Sequence, residues 1–260
     1  MSTNPTVGRK RVGLALGGGG ARGMAHVGVI RALERAGIAV DCIAGTSVGS
    51  LVGAVYAAGL NGDQVLEMAL QMRWLDILRP VWPRQGFISF ARLESFFARV
   101  TGDPTFADLK IPYAAVTADL ATGKQVVLRE GRVARAVRAS CSVPAIVTPV
   151  EVDGRLLIDG GVVNNLPISI VRDLGADVVI AVGLAQPPGD YPRGPLRIGM
   201  AAIEFLVLKA GDDPATADVH LPIPVWGLGT MVRTSQRHRL IALGQRIAEQ
   251  SLPEIQALLD

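Results

Sequence analysis

The pentapeptide Gly45-Thr46-Ser47-Val48-Gly49 constrains this chain more than any other feature, because it demands a particular turn between two particular elements. It is a G-x-S-x-G pattern, in which a serine sits on a sharp strand-to-helix turn with its hydroxyl exposed. Glycines on both flanks, Gly45 and Gly49, let the backbone fold tightly and keep side chains clear of the serine. Asp41-Cys42-Ile43-Ala44 before it reads as a strand, and the uncharged run from Val48 to Leu60 reads as a buried helix. The expectation is a nucleophilic serine at Ser47. An ordinary strand-helix turn is the alternative if nothing else supports it.

Support lies upstream. Arg11 to Leu16 reads as a buried strand that runs into Gly17-Gly18-Gly19-Gly20-Ala21-Arg22-Gly23, then into a helix that Gly37 is placed to stop. Consecutive glycines leave backbone N–H groups unshielded beside a helix N-terminus, which suits an anion. Acyl transfer needs such donors for its oxyanion, and one donor is typically worth about 3–4 kcal/mol of transition-state stabilisation. The same stretch competes for another function. Gly18-x-Gly20-x-x-Gly23 is a formal dinucleotide-binding match, with Asp41 18 residues beyond Gly23 as the ribose-binding acid. Against that reading, Arg22 and Met24 bring bulk where close packing is wanted, and Asp41 precedes its strand instead of ending it. No Gly-Lys-Ser/Thr follows the glycines, which excludes a Walker A loop.

The third piece is Leu156-Leu157-Ile158-Asp159-Gly160-Gly161, an apolar strand ending in an aspartate and two glycines. Asp-Gly is a common turn dipeptide. Beside the serine and the glycine loop, Asp159 reads instead as a partly desolvated carboxylate whose raised pKa suits a general base.

In this order the three pieces resemble the patatin-like phospholipase family. Gly18-Gly19-Gly20-Ala21-Arg22-Gly23, Gly45 to Gly49 and Asp159-Gly160-Gly161 match its three motifs, with no departure at a motif position. Ala25 to Val29, Ala139 to Ala145 and Val163-Asn164-Asn165-Leu166-Pro167 are similar to its bacterial members, and the resemblance spans about residues 12–182. It implies a catalytic dyad of Ser47 and Asp159. It also implies an oxyanion hole drawn from Gly18, Gly19, Gly20, Arg22 and Gly23, an elbow flanked by Gly45 and Gly49, and no cofactor or metal. Arg22 either steadies the glycine loop or meets an anionic head group. The implied activity is a serine esterase or lipid acyl hydrolase of the phospholipase A or lysophospholipase type. Three alternatives remain. One is a general carboxylesterase with a Ser-Asp-His triad using His220 or His238; the others are the dinucleotide-binding protein and a silent lipid-binding protein.

Strand-like runs at 11–16, 41–44, 112–119, 124–129, 150–158 and 177–184 alternate with helical ones near 22–37, 48–60, 62–72, 89–100, 131–140, 165–174, 196–210 and 235–258. That alternation implies an α/β fold, a three-layer α/β/α arrangement around a mainly parallel sheet. Residues 1–10 read as a disordered tail and 11–260 as one hydrolase domain. The Pro-rich stretch 186–195 reads as a surface loop. Residues 42–62 carry no charge and are long enough to span a bilayer, but they contain the serine turn and many small residues, so a buried central helix is expected. The basic N-terminus followed by Val12 to Ala21 mimics a signal peptide, but four glycines make a poor apolar core.

Cys42 and Cys141 form no metal or redox spacing, and the three histidines are scattered. With no secretion signal, a cytoplasmic location is expected, with peripheral contact at the inner face of the membrane left open. The net charge of +3 is spread along the chain, so nucleic acid is not an expected partner, while a lipid or ester substrate is. Seven of the nine Trp and Phe residues fall between Trp74 and Phe106. They form either ordinary packing or a cap whose inner wall holds an acyl chain and whose outer face meets a membrane.

Overall fold

The computed structural model describes residues 8–184, 193–225 and 236–260. The expected tail up to residue 7, most of the Pro-rich loop and the first residue of the last helix lie outside them. Residues 8–10 are held in place: Arg9 pairs with Asp41, and Lys10 Nζ donates to the Leu258 carbonyl at 2.6 Å.

Among the described residues ten strands form, at Val12–Leu16 (β1), Cys42–Thr46 (β2), Arg79–Pro80 (β3), Ile88–Ser89 (β4), Tyr113–Asp119 (β5), Gln125–Leu128 (β6), Val150–Val152 (β7), Arg155–Asp159 (β8), Val178–Gly183 (β9) and Val219–Pro222 (β10). The α-helices are Met24–Arg35 (α1), Val48–Ala57 (α2), Gly62–Gln71 (α3), Trp74–Ile77 (α4), Ala91–Thr101 (α5), Val133–Ser140 (α6), Ile168–Asp173 (α7), Pro195–Lys209 (α8) and Arg237–Leu259 (α9). Eight strands make one sheet in the order β10-β9-β1-β2-β5-β8-β7, with β6 on the other edge of β5. The run from β10 to β5 is parallel; β6, β8 and β7 join antiparallel. β3 and β4 form a separate small hairpin.

Alternation along the central strands divides the core. Leu14, Leu16, Ile43, Ile180 and Val182 face one layer, packed with apolar residues of α1, α2, α3 and α9. Ala15, Cys42, Ala44, Ala114, Val116, Val179 and Ala181 face the other, under Ile168, Ile170 and Val171 of α7. Both faces of the parallel strands are buried, as uninterrupted apolar runs require. The three-layer α/β/α fold is therefore the one expected.

One expectation changes. Residues 150–158 are two strands, not one: the chain reverses at Asp153 and Gly154, whose φ values are +49° and +73°. A two-residue Asp-Gly loop with both φ positive is the favoured hairpin turn. Val219–Pro222 forms the edge strand β10, outside β9.

Candidate active site

Ser47 occupies the single residue between β2 and α2, with φ +54° and ψ −125°. A non-glycine residue there stores roughly 1–3 kcal/mol of strain, so the surroundings must impose it. They do so through close backbone approach. A Cβ on Gly45 would lie 2.5 Å from the Gly49 carbonyl oxygen, and one on Gly49 would lie 2.2 Å from that of Leu16. Hydroxyls complete the frame. Ser47 N donates to Ser140 Oγ at 2.9 Å, and that hydroxyl donates to the Val116 carbonyl at 2.7 Å. Ser50 Oγ donates to the Ser47 carbonyl at 2.6 Å, and Thr46 Oγ1 to that of Asn164 at 2.9 Å. Ser47 itself stays partly exposed.

Strand register brings Asp159 to this turn. β2 runs along one edge of β5 as far as the pair Thr46↔Val116. β8 runs the opposite way and ends on the next residue of β5, at Asp159↔Thr117. β6 pairs with both Val116 and Thr117, so it holds the other edge, and β2 and β8 must share this one. Their C-terminal ends therefore meet head to head, with Ser47 leaving one and Asp159 closing the other. The glycines after Asp159 are needed for the same reason as those of the elbow: a Cβ on Gly160 would sit 2.4 Å from the Val116 carbonyl oxygen.

Asp159 is 6% exposed. Burial raises its carboxyl pKa to about 6, while the neighbouring Ser47 hydroxyl and the Gly161 N–H, 2.8 Å from Oδ1, pull the other way. A carboxylate with this pKa is charged at neutral pH and can accept a proton from a hydroxyl beside it.

The glycine loop leaves the end of β1, directly beside the end of β2, since Leu16 pairs with Gly45. Its members do different things. Gly18 N donates to the Asn165 carbonyl at 3.2 Å, so this amide is already engaged. A Cβ on Gly18 would lie 3.2 Å from Ser47 Cβ, and one on Gly23 2.2 Å from Val48, so both glycines permit close packing against the elbow. Gly19 N and Gly20 N donate to no acceptor among the described residues. Arg22 braces the loop: its Nε donates to the Gly19 carbonyl at 3.0 Å and its Nη2 to Glu204 of α8 at 2.6 Å. Because a peptide is planar, fixing the Gly19 carbonyl also turns the Gly20 N–H the opposite way.

Three contributors carried no local signal. Ser140 holds the elbow from 93 residues away. His26 places Nε2 2.8 Å from the Gly17 carbonyl; burial lowers its pKa to about 4, so it is neutral and donates from Nε2. Asn165 is 6% exposed, and its Oδ1 has no partner among the described residues; it lies between the positions where Cβ atoms on Gly18 and Gly161 would fall. The motif Val163 to Pro167 had marked Asn165 only as part of a resemblance.

The competing constellations are not assembled. His220 is exposed on β10, three strands from β2, and His238 is exposed on α9. Asp41 lies at the start of β2, where it accepts from Val12 N at 2.7 Å. It is at the opposite end of the strands from the glycine loop and cannot serve a ligand held there. Cys42 and Cys141 are buried, and desolvation raises both thiols, Cys42 to about 11. The aromatic cluster is divided: Phe90 and Phe97 enter the core, while Trp82 and Phe87 are exposed. None of its members lines the apolar crevice beside the elbow, which is built from Gly20, Met24, Val48, Leu51, Met68 and Met72 with their small neighbours. No described helix is long and apolar enough to cross a membrane.

The sequence profile described as patatin-like phospholipase matches residues 14–172. An uncharacterised NTE family protein of Mycobacterium tuberculosis is 43% identical over 177 residues, covering 67% of this chain and 49% of that protein. Patatin-like phospholipase domain-containing protein 6 of Mus musculus is 38% identical over 183 residues, covering 67% of this chain and 14% of that protein. The chain thus spans about half of the mycobacterial relative and a small part of the mouse one. Among solved structures, VipD from Legionella pneumophila superposes with a TM-score of 0.59 at 15% identity, covering 96% of this chain and 69% of the other.

Proposed function

The chain belongs to the patatin-like phospholipase family, and from that premise we propose that it hydrolyses acyl esters of lipids with Ser47 as nucleophile and Asp159 as its base. The observation that carries this reading is the head-to-head meeting of β2 and β8 on β5, which sets a strained serine against a buried carboxylate. In the first step Asp159 takes the proton of Ser47 Oγ as that oxygen bonds to the ester carbonyl carbon. The carbonyl oxygen becomes an oxyanion, received by the N–H groups of Gly19 and Gly20. Collapse of the intermediate breaks the ester C–O bond, and the departing alcohol takes the proton from Asp159. A water then gives its proton to Asp159 as its oxygen bonds to the acyl carbon; collapse breaks the bond to Ser47 Oγ, Asp159 returns the proton to that oxygen, and the fatty acid leaves. The steps call on no cofactor.

Arg22 acts in this scheme as a brace of the oxyanion loop rather than a head-group ligand, because Gly19 and Glu204 already occupy its guanidinium. The apolar crevice between α2 and α3 begins at Val48, the residue after the nucleophile; it is nearly closed in this structure and must open to receive the acyl chain. A phospholipase A or lysophospholipase activity fits the family, and residues 11–260 are read as one hydrolase domain.

A fluorophosphonate probe tests the reading. Labelling at Ser47, lost in Ser47→Ala and sharply reduced in Asp159→Asn, is expected. His220→Ala and His238→Ala should keep most turnover of a soluble ester; loss of activity in either, with the protein folded, would establish a triad instead.

A further inference from the structure

Segment 73–87 puts on the surface what a soluble domain ordinarily keeps inside. Leu75 is 69% exposed, Trp82 82% and Phe87 53%. Scattered surface apolar residues need no explanation, but three large ones within 13 positions, two of them on one hairpin, are a concentration that points to an interaction site. Arg73, Arg79 and Arg84 are exposed in the same segment, against a single acidic residue, Asp76. Among the described residues, none of these arginines is paired with a carboxylate.

The segment is held firmly at its base. β3 and β4 pair through Arg79↔Ser89 and Pro80↔Ile88, and Val81 N donates to the Phe87 carbonyl at 3.1 Å. Residues 82–86 therefore form the tip of a hairpin. That hairpin is stitched to the stretch after α6: Phe87 N and Ile88 N both donate to the Ile146 carbonyl, and Thr148 N donates to that of Ile88. The same stretch begins at Ser142, whose carbonyl accepts Asp159 N at 2.9 Å. The exposed tip is thus tied through one short segment to the proposed base.

We propose that residues 73–87 are a membrane-docking element that seats on an anionic phospholipid surface. Charge complementarity selects this occupant: a tryptophan and two large apolar side chains interleaved with unpaired arginines match a headgroup layer, where tryptophan is enriched and lipid phosphates meet guanidinium groups. Each arginine near such a surface is worth about a fivefold change in partitioning. The proposal deepens the lipid-hydrolase reading by naming where the lipid surface is met, and the binding itself does not depend on turnover.

The test uses the full chain carrying Ser47→Ala, so that vesicles are not consumed. Flotation with vesicles of phosphatidylcholine alone and of phosphatidylcholine with phosphatidylglycerol is compared. The parent should float with the anionic vesicles and much less with the neutral ones. Arg79→Gln/Arg84→Gln should weaken anionic binding roughly twentyfold, and Trp82→Ala/Phe87→Ala should weaken it at least tenfold, with melting temperatures unchanged. No flotation of the parent, or unchanged flotation of both variants, would overturn the proposal. So would a shift in oligomeric state caused by Trp82→Ala/Phe87→Ala with vesicle binding intact, which would mean that a second copy covers the patch. Failure of the hydrolase reading is seen separately, as absent probe labelling and absent turnover of a soluble ester by the native chain.

Discussion

The backbone N–H of Ser47 is held 2.9 Å from the hydroxyl of Ser140, a buried side chain that passes its own proton to the Val116 carbonyl. One hydroxyl thus ties the strained elbow to β5, the strand against which β8 ends at Asp159. Ser140→Ala removes both bonds and leaves the Val116 carbonyl short of one donor. The expected loss of stability is about 1–3 kcal/mol. Loosening the elbow should lower kcat by roughly ten- to a hundredfold with little change in KM, since the nucleophile is misplaced rather than the substrate unbound. Steady-state kinetics on a soluble ester, with a denaturant melt of the same sample, check this; unchanged kcat in a destabilised protein would reduce Ser140 to a structural residue.

Asp159 must be deprotonated to accept the proton of Ser47, and burial places its pKa at about 6. Log kcat/KM should therefore climb with unit slope through the acid range and level off above about pH 7. The profile should be unchanged in His220→Ala. A pH titration of both proteins decides the matter: an inflection that moves or vanishes on removing His220 would assign the base elsewhere.

The same pKa has a consequence for stability. The folded value of about 6 exceeds the value of about 3.9 for an unfolded aspartate, so the folded state holds this proton more tightly. The stabilisation that gives is complete below about pH 4 and is lost as pH rises through 6. Above about pH 7 the native protein carries a buried charge at a cost on the order of 3 kcal/mol. Asp159→Asn removes the charge and keeps an oxygen for Gly161 N. It should be inactive yet more stable than the parent at about pH 8, with the difference shrinking toward zero near pH 4. Denaturant melts at the two pH values measure it, and equal stability at both would contradict the buried-charge account.

How much of this was legible in the sequence followed the range of each constraint. Gly45 announces itself because the clash it avoids, with Gly49, is imposed by a local turn, whereas Gly49 and Gly160 clear the Leu16 and Val116 carbonyls of neighbouring strands and were legible only through their motif positions. The Asp153-Gly154 reversal carried an equally local signal, and reading 150–158 as one strand overlooked it. Ser140 and His26 could not be found that way. Their partners are a backbone N–H and a carbonyl brought near by tertiary packing, and a serine or histidine in an apolar helix looks the same with or without them. The glycine run told that donors would be free, but not that Gly18 would donate to Asn165 and leave Gly19 and Gly20. The aromatic cluster was visible as composition, while its division between core and surface depends on tertiary placement: Phe97 lies on the inward face of α5, and Trp82 and Phe87 lie on the hairpin before it.

The crevice beside Val48 gives a prediction about chain length. Its walls are Leu51 and Val52 from α2, Met68 and Ala69 from α3, and Met72 just after that helix, all apolar and all buried. Methionine yields readily, so the slot can widen around a chain. Met72→Ala should raise turnover of long-chain relative to short-chain esters, and Ala69→Leu should lower that ratio by about tenfold or more. Phe97→Ala, outside the crevice, should leave the ratio alone. Rates across a series of acyl lengths test the assignment; a uniform change in either crevice variant would remove the slot from the acyl site.

The packing of α1 on α9 decides whether the glycine loop is held still, because that loop runs directly into α1. Here two glycines face each other's helix. A Cβ on Gly28 would lie 2.0 Å from the Ile241 carbonyl oxygen and 2.6 Å from Gln245 N, and one on Gly244 would lie 2.0 Å from the Ala25 carbonyl oxygen. Both obstructions are backbone, which cannot turn aside as a side chain can. Glycine inside a helix is ordinarily worse than alanine by roughly 0.5–1 kcal/mol, so the intrinsic preference favours Gly28→Ala. Moving two helices apart to ordinary contact distance forfeits far more, since the well-packed core around them loses its close contacts. Gly28→Ala should therefore destabilise the protein by more than about 2 kcal/mol and depress activity through the displaced loop. Gly199→Ala, in α8 with open space around the added methyl, tests the opposite sign and should stabilise by up to about 1 kcal/mol. Thermal melts of the pair separate the two effects: a stabilised Gly28→Ala would mean that the helices are free to part and that α1 does not fix the loop.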